Sequence, residues 1–270
     1  RFGNRMHTYA YGATYAKKFG FDFVLPSEWE GSKLFKNQFH KVLDDDQLRL
    51  EINQTKDPYD SPGYRASAIE NYSFRSQRGM TFLNPDDPNR TYSGLGNVWI
   101  SNICAYQALI FKEMSGDFIK NELFAFSDEV KNLDIYKRLE DKQGTYDIAH
   151  LRRDDISSLT YESNYGYSTV SKKSYEKAFK KFDYDPEKIE WTTDDWTGRW
   201  GVGTPGDGDW FTRRGGWNYP TGSEHFPDIC FDWFPDFLRL YFARSVFRAN
   251  SSFAWWACFL GDQKKIFAPL

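Results

Sequence analysis

Cysteine is scarce in this chain. The three present, Cys104, Cys230 and Cys258, are too few and too scattered for a disulfide framework or a zinc site, which favours a reducing compartment and a cytoplasmic protein. Long apolar runs are also missing. Nothing approaches the roughly 18 consecutive apolar residues of a membrane span, and no basic region followed by an apolar stretch opens the chain. No excess of either charge exists, because 35 Lys and Arg face 38 Asp and Glu, leaving a net charge of -3. The chain therefore has no global field to hold a nucleic acid or an anionic membrane, and any anionic ligand needs a local site. His7, His40 and His225 lack a His or Cys partner at metal-ligand spacing, so no metal site is read from them. Internal repeats and low-complexity tracts are absent as well.

What remains is a 270-residue chain with 40% apolar and 27% charged residues, a composition of folded proteins with room for one or two domains. Its unusual feature is a 19% aromatic content, with 24 Phe, 17 Tyr and 10 Trp, more than a core of this size needs and suited to stacking on sugars or bases. Four glycosylation sequons start at Asn53, Asn71, Asn89 and Asn250 and matter only if the chain is secreted.

Met6, Tyr9, Ala10, Ala13 and Ala16 recur at helical spacing between Arg5 and Phe19, Gly20 supplies a stop, and 21–25 reads as a strand. Gly3-Asn4 just ahead of this helix places Asn4 as its N-cap. Residues 44–95 are polar and turn-rich and read as long loops, and helical spacing returns from Asn102 to Glu122. Asp141-Lys142-Gln143-Gly144 reads as a linker, which divides the chain into domains 1–143 and 144–270. Strands are expected at 146–152, 188–193, 245–249 and 265–268, with helices at 171–182, 235–244 and 251–260 between them. Tyr175, Ala178, Phe179 and Phe182 share one face of the first of these helices. Such alternation implies a parallel sheet, which binds ligands outside the carboxyl ends of its strands. From Trp196 to Phe234 the chain holds eight glycines and half of its tryptophans, and reads as a long loop of rings and flexible backbone.

Three strand ends in the second half deliver polar groups to one edge: His150-Leu151-Arg152-Arg153-Asp154-Asp155, Thr192-Thr193-Asp194-Asp195 and Asn250-Ser251-Ser252. The planar fork of arginine donates paired hydrogen bonds to a diphosphate, and a helix opening at the Ser pair offers free N–H groups to an anion. Two plainer readings stand beside this one. Arg152 and Arg153 can form solvated ion pairs with Asp154 and Asp155, and Ser251 can be a simple helix cap. Trp255 and Trp256, within an apolar helix, read as core.

Four segments, taken together, resemble the GDP-fucosyltransferase superfamily. Arg1-Phe2-Gly3-Asn4-Arg5-Met6 looks like the Gly-Asn-Gln-Met opening of α-1,2-fucosyltransferases, and its Arg-Phe-Gly-Asn start is also similar to protein O-fucosyltransferases. His150 to Asp155 is similar to His-x-Arg-Arg-Gly-Asp, Thr193-Asp194-Asp195 to Ser/Thr-Asp-Asp, and Ala249 to Trp256 to Ala-Asn-Ser-Ser-Phe-Ser-Trp-Trp. Two departures are Asp154 in place of the Gly and Arg5 in place of the Gln.

The resemblance implies an α/β, GT-B-like fold, with two Rossmann-like domains facing a cleft, the second binding GDP-fucose and the first receiving a glycan acceptor. It implies that Arg152 contacts the β-phosphate, with His150 and Arg153 shaping the site, and that Ser251, Ser252 and Phe253 meet phosphates or base. Asp236, sixteen residues before Ser252, would accept hydrogen bonds from guanine, and Asn4 would face the diphosphate or sugar. Asp195, in the Ser/Thr-Asp-Asp match, joins the donor-site candidates. The implied reaction is inverting and needs no metal or other cofactor, with Asp155 placed ahead of Glu162 and Asp195 as general base. A Golgi-lumenal location is the alternative if an N-terminal anchor has been trimmed. Two other readings are a metal-dependent nucleotide-sugar transferase using Asp207 and Asp209, and a non-catalytic carbohydrate-binding protein that stacks sugars on Trp196, Trp200, Trp210 and Trp217.

Overall fold

A computed structural model describes residues 2–20, 22–25, 29–42, 116–152, 170–193 and 233–268. The loops expected at 44–95, most of the helix expected from Asn102, and nearly all of the Trp/Gly-rich stretch lie outside the described residues. The chain divides into two compact units, Arg1–Ser127 and Asp128–Leu270.

In the first unit, α1 spans Phe2–Phe19 and buries Met6, Tyr9, Ala10, Ala13 and Ala16, the positions its spacing predicts. Asn4 lies inside its first turn, so the N-cap reading is corrected. Gly20 follows with φ of 70°, the left-handed conformation that ends helices at little cost in a residue without Cβ. The strand expected over 21–25 is reduced to β1, Val24–Leu25, paired in parallel with β2, Lys41–Val42. Phe118–Leu123 forms a π-helix, closed by the Phe124 N–H donating to the Ile119 carbonyl at 2.9 Å. Its wider turn suits a segment that buries Phe118, Ile119 and Leu123. Phe2, Tyr9, Trp29, Phe35, Phe124 and Phe126 form a continuous ring cluster, so much of the aromatic excess here is core.

The second unit starts with two short helices, α2 (Asp128–Lys131) and α3 (Asp134–Glu140). Because α3 buries Ile135, Tyr136 and Leu139, with Tyr136 edge-on to Phe242, the unit begins well before the 141–144 turn. That turn lies within the unit. Gly144 has φ of 70° and donates its N–H to the Phe242 carbonyl at 2.9 Å, which makes it a structural corner.

Strands β3 (Asp147–Leu151), β4 (Ile189–Thr193), β5 (Ser245–Phe247) and β6 (Lys265–Phe267) form a parallel sheet in the order β4-β3-β5-β6. Every residue of β3 is buried, as expected for a central strand covered on both faces. Between β3 and β4 lies α4, Lys172–Lys181, capped by Ser171, whose hydroxyl accepts from the Ser174 N–H at 3.1 Å. Tyr175 and Phe179 of α4 pack against Ala149, Leu151 and Phe247. Phe182 departs from the expected buried face, because α4 ends at Lys181 and leaves its ring 43% exposed. The remaining helices, α5 (Phe234–Phe242) and α6 (Ser252–Leu260), pack against each other. Trp256 is fully buried, as its reading as core requires, while Trp255 is half-buried and stacked on Phe259.

These facts establish a mixed α/β chain built on parallel strands. The register around the central strand is unequal: β3 pairs with β4 along 147–151, but with β5 only along 147–149.

Candidate functional site

The strand order places the reversal of winding between β3 and β5: the chain proceeds from β3 outward to β4, then returns to the other side of β3. At such a switch point the connections leave in opposite directions and open the sheet's carboxyl edge. Two of the sequence-predicted segments meet there. Arg152, the first residue after β3, is half-buried and donates from its guanidinium to the Asn250 carbonyl at 3.3 Å, between β5 and α6.

His150, on β3, is 6% exposed, and its ring lies 6.1 Å from that of Phe253 in the first turn of α6. Alternation along β3 puts it on the face opposite Ala149 and Leu151. Its carbonyl accepts from the Tyr175 hydroxyl at 2.6 Å, which ties the end of the strand to α4. Thr192 and Thr193 finish β4 beside His150 and Leu151, and both are buried. Ser251 holds the N-cap position of α6, but its hydroxyl makes no capping hydrogen bond, unlike that of Ser171. The simple cap reading of Ser251 is therefore set aside. Ser252 opens the helix and is half-buried.

Asp236 sits in the first turn of α5, 6% exposed, with one carboxylate oxygen 3.9 Å from the guanidinium of Arg239. Arg239 is wholly buried. It donates to the Glu190 carboxylate at 2.7 Å and the Trp191 carbonyl at 3.2 Å, and its own carbonyl accepts from Tyr146 at 2.7 Å. Burial raises the Tyr146 phenol well above its usual range, so this hydroxyl remains a donor. Trp233 and Phe237 meet Phe253 edge-on at 6.0 and 5.4 Å. The starts of α5 and α6 are thus joined through rings to His150.

Sequence reasoning misses Trp233, Phe237 and Arg239. Trp233 falls in a stretch that reads as loop, and Arg239 carries no motif and looks like an ordinary charged helix residue. Of the predicted residues, the structure gathers His150, Arg152, Ser251, Ser252 and Phe253, with Asp236 one contact away through Phe237 and its own turn. Asn4 belongs to the first unit. Arg153, Asp155, Glu162, Asp195, Asp207 and Asp209 lie outside the described residues, as do Trp196, Trp200, Trp210 and Trp217.

The arrangement puts a permanent cation, the start of a nine-residue helix and a set of rings at one sheet edge. Such a combination can hold an anionic group and a flat ring system together. Among the described residues, no cluster of three His, Cys, Asp or Glu could hold a metal ion, and no helix is long and apolar enough to cross a membrane. Cys258 is buried, and burial pushes its thiol up to about 12, so it is no nucleophile near neutral pH. No protein-family model matches the chain, and neither a curated protein nor a solved structure with significant similarity to it is found.

Proposed function

We propose that the second unit binds a nucleoside diphosphate sugar and that the chain is an inverting glycosyltransferase, with GDP-fucose as donor and a glycan hydroxyl as acceptor. One observation carries this reading: Arg152 reaches the Asn250 carbonyl across the switch point, which brings His150–Arg152 and Asn250–Phe253 to a single place. The four-motif resemblance supplies the guanine and the fucose.

In the proposed reaction an acceptor oxygen attacks the anomeric carbon while the bond from that carbon to the β-phosphate oxygen breaks. The acceptor proton passes to a carboxylate, for which Asp155 is the candidate. Negative charge grows on the departing diphosphate, where Arg152 and the first N–H groups of α6 offset it. This division of labour asks no metal of the protein. A GT-B-like fold belongs to the same proposal, with Asn4 as a donor-site candidate.

Calorimetric titration with GDP and with UDP, in EDTA and again with Mn²⁺, tests it. The expected result is GDP binding in EDTA, weaker UDP binding, and weakening of both by about tenfold or more in Arg152→Ala. UDP binding that requires Mn²⁺ would transfer the reading to Asp207 and Asp209, and no nucleotide binding at all would leave the carbohydrate-binding alternative.

A further inference from the structure

The charge balance of the whole chain hides a local excess on α4. Ten residues of this helix contain five lysines and a single acid, Glu176. Tyr175 and Phe179 turn inward, which leaves Lys173, Lys177 and Lys180 as an outward stripe at i, i+4 and i+7. Among the described residues, none of these three is ion-paired, and neither is Lys181.

Beside the stripe an apolar column leaves the core. Phe247, buried, stacks on Phe267 at 4.3 Å, and Phe267 in turn meets Phe182 at 4.5 Å. Phe182 is the outermost ring and keeps 43% of its surface exposed, with the Lys181 ammonium 5.4 Å from its centroid. Lys265 on the edge strand β6 extends the positive surface, its ammonium 5.9 Å from the Tyr184 ring. Two exposed acids adjoin this surface in sequence, Asp183 next to Phe182 and Glu176 between Lys173 and Lys177.

We propose that this face of the second unit docks on an anionic phospholipid surface, with the lysines over the headgroups and Phe182 entering the interface. Charge complementarity and residue type select this occupant. Protein interfaces are depleted in lysine and built around a broad desolvated centre, whereas this patch is lysine around one exposed ring. Nucleic-acid sites favour the guanidinium fork of arginine for phosphate, and α4 has none. Diffuse attraction to a lipid layer needs only several hydrated positive charges at one plane and an apolar group to insert. The proposal is independent of the donor reading, since Lys173, Lys177, Lys180 and Phe182 are not among the residues assigned to that function.

Co-sedimentation of the full chain with phosphatidylcholine vesicles, with and without phosphatidylserine, tests it. Binding is expected only with phosphatidylserine and should weaken as salt rises. Joint substitution Lys173→Glu, Lys177→Glu and Lys180→Glu should reduce binding by about a hundredfold or more, at about fivefold per lysine. Phe182→Ser should weaken the residual binding at high salt, while Lys131→Glu with Lys137→Glu, both exposed on α2 and α3, should leave binding close to the unsubstituted level. Equal binding to both vesicle types, no binding to either, or equal loss in the α2/α3 control would overturn the proposal. So would retention of an RNA homopolymer or polyglutamate through the α4 lysines with vesicles ignored.

Discussion

The guanidinium of Arg152 and the carbonyl of Asn250 are in hydrogen-bond contact across the point where the sheet's winding reverses. The contact ties the end of β3 to the connection between β5 and α6, and it leaves Arg152 half-buried at that edge.

Replacing Arg152 by Ala should lower GDP affinity by about 10- to 150-fold, corresponding to loss of a charge-assisted hydrogen bond of about 1.5–3 kcal/mol. Because the side chain is only half-buried, the melting temperature should stay nearly constant. Calorimetric titration and a thermal melt of the same variant check both halves of the statement.

Arg239 has a structural consequence that can be separated from binding. Its removal takes away the cation beside the buried Asp236, whereas Glu190, with 31% of its side chain exposed, can turn to water. Arg239→Ala should destabilise the second unit by about 3–5 kcal/mol in urea unfolding. Adding Asp236→Asn should recover part of that loss, because a buried charge is gone, and a double-mutant cycle measures the recovery.

His7 is 3% exposed within α1, and burial lowers its pKa to about 4. Between its ordinary value near 6.5 and about 4 the unfolded chain binds a proton that the folded chain does not. Stability is thus complete above about pH 6.5 and falls as the solution is acidified towards pH 4, by on the order of 3 kcal/mol from this group. Unfolding free energies across that range should flatten in His7→Phe relative to the unsubstituted protein.

Phe179 is fully buried and meets Trp191 and Phe247 edge-on at 5.7 and 4.7 Å. Phe179→Ala should cost about 3–5 kcal/mol, since a ring-sized cavity opens where α4 meets the sheet. Denaturant unfolding followed by tryptophan fluorescence, to which Trp191 contributes, reads the loss.

The alternation of strand and helix in the second half is legible because each element carries its own period. β3 is a short segment with Ile148, Ala149 and Leu151 at its centre and end, running straight into Arg152 and Arg153, and α4 shows Tyr175 and Phe179 four apart. Phe182 escapes this reading because periodicity extends past a helix's end, whereas the backbone turns after Lys181. Gly144 looks like part of a linker, since a polar stretch closed by Gly marks a tight corner and a domain boundary alike, and only the hydrogen bond to Phe242 separates them. The π-helix at Phe118–Leu123 has no sequence period of its own at this length. At the candidate site, Arg152, Ser252 and Phe253 stand out through motifs. Arg239 and Trp233 act through burial and ring contacts, which arise only when α5 folds onto its neighbours.

The unequal pairing of β3 shapes the edge beside it. Since β4 accompanies it through Leu151 and β5 leaves it after Ala149, the end of β3 is laddered on the β4 side alone. That difference is written in main-chain register, so point substitutions beside it alter chemistry but leave the pairing in place. A single-residue insertion or deletion between Arg248 and Ser251 would act differently, by moving the start of α6 along the rim. Length changes in that short connection are therefore the route by which a scaffold of this kind would be refitted to a larger or smaller guest.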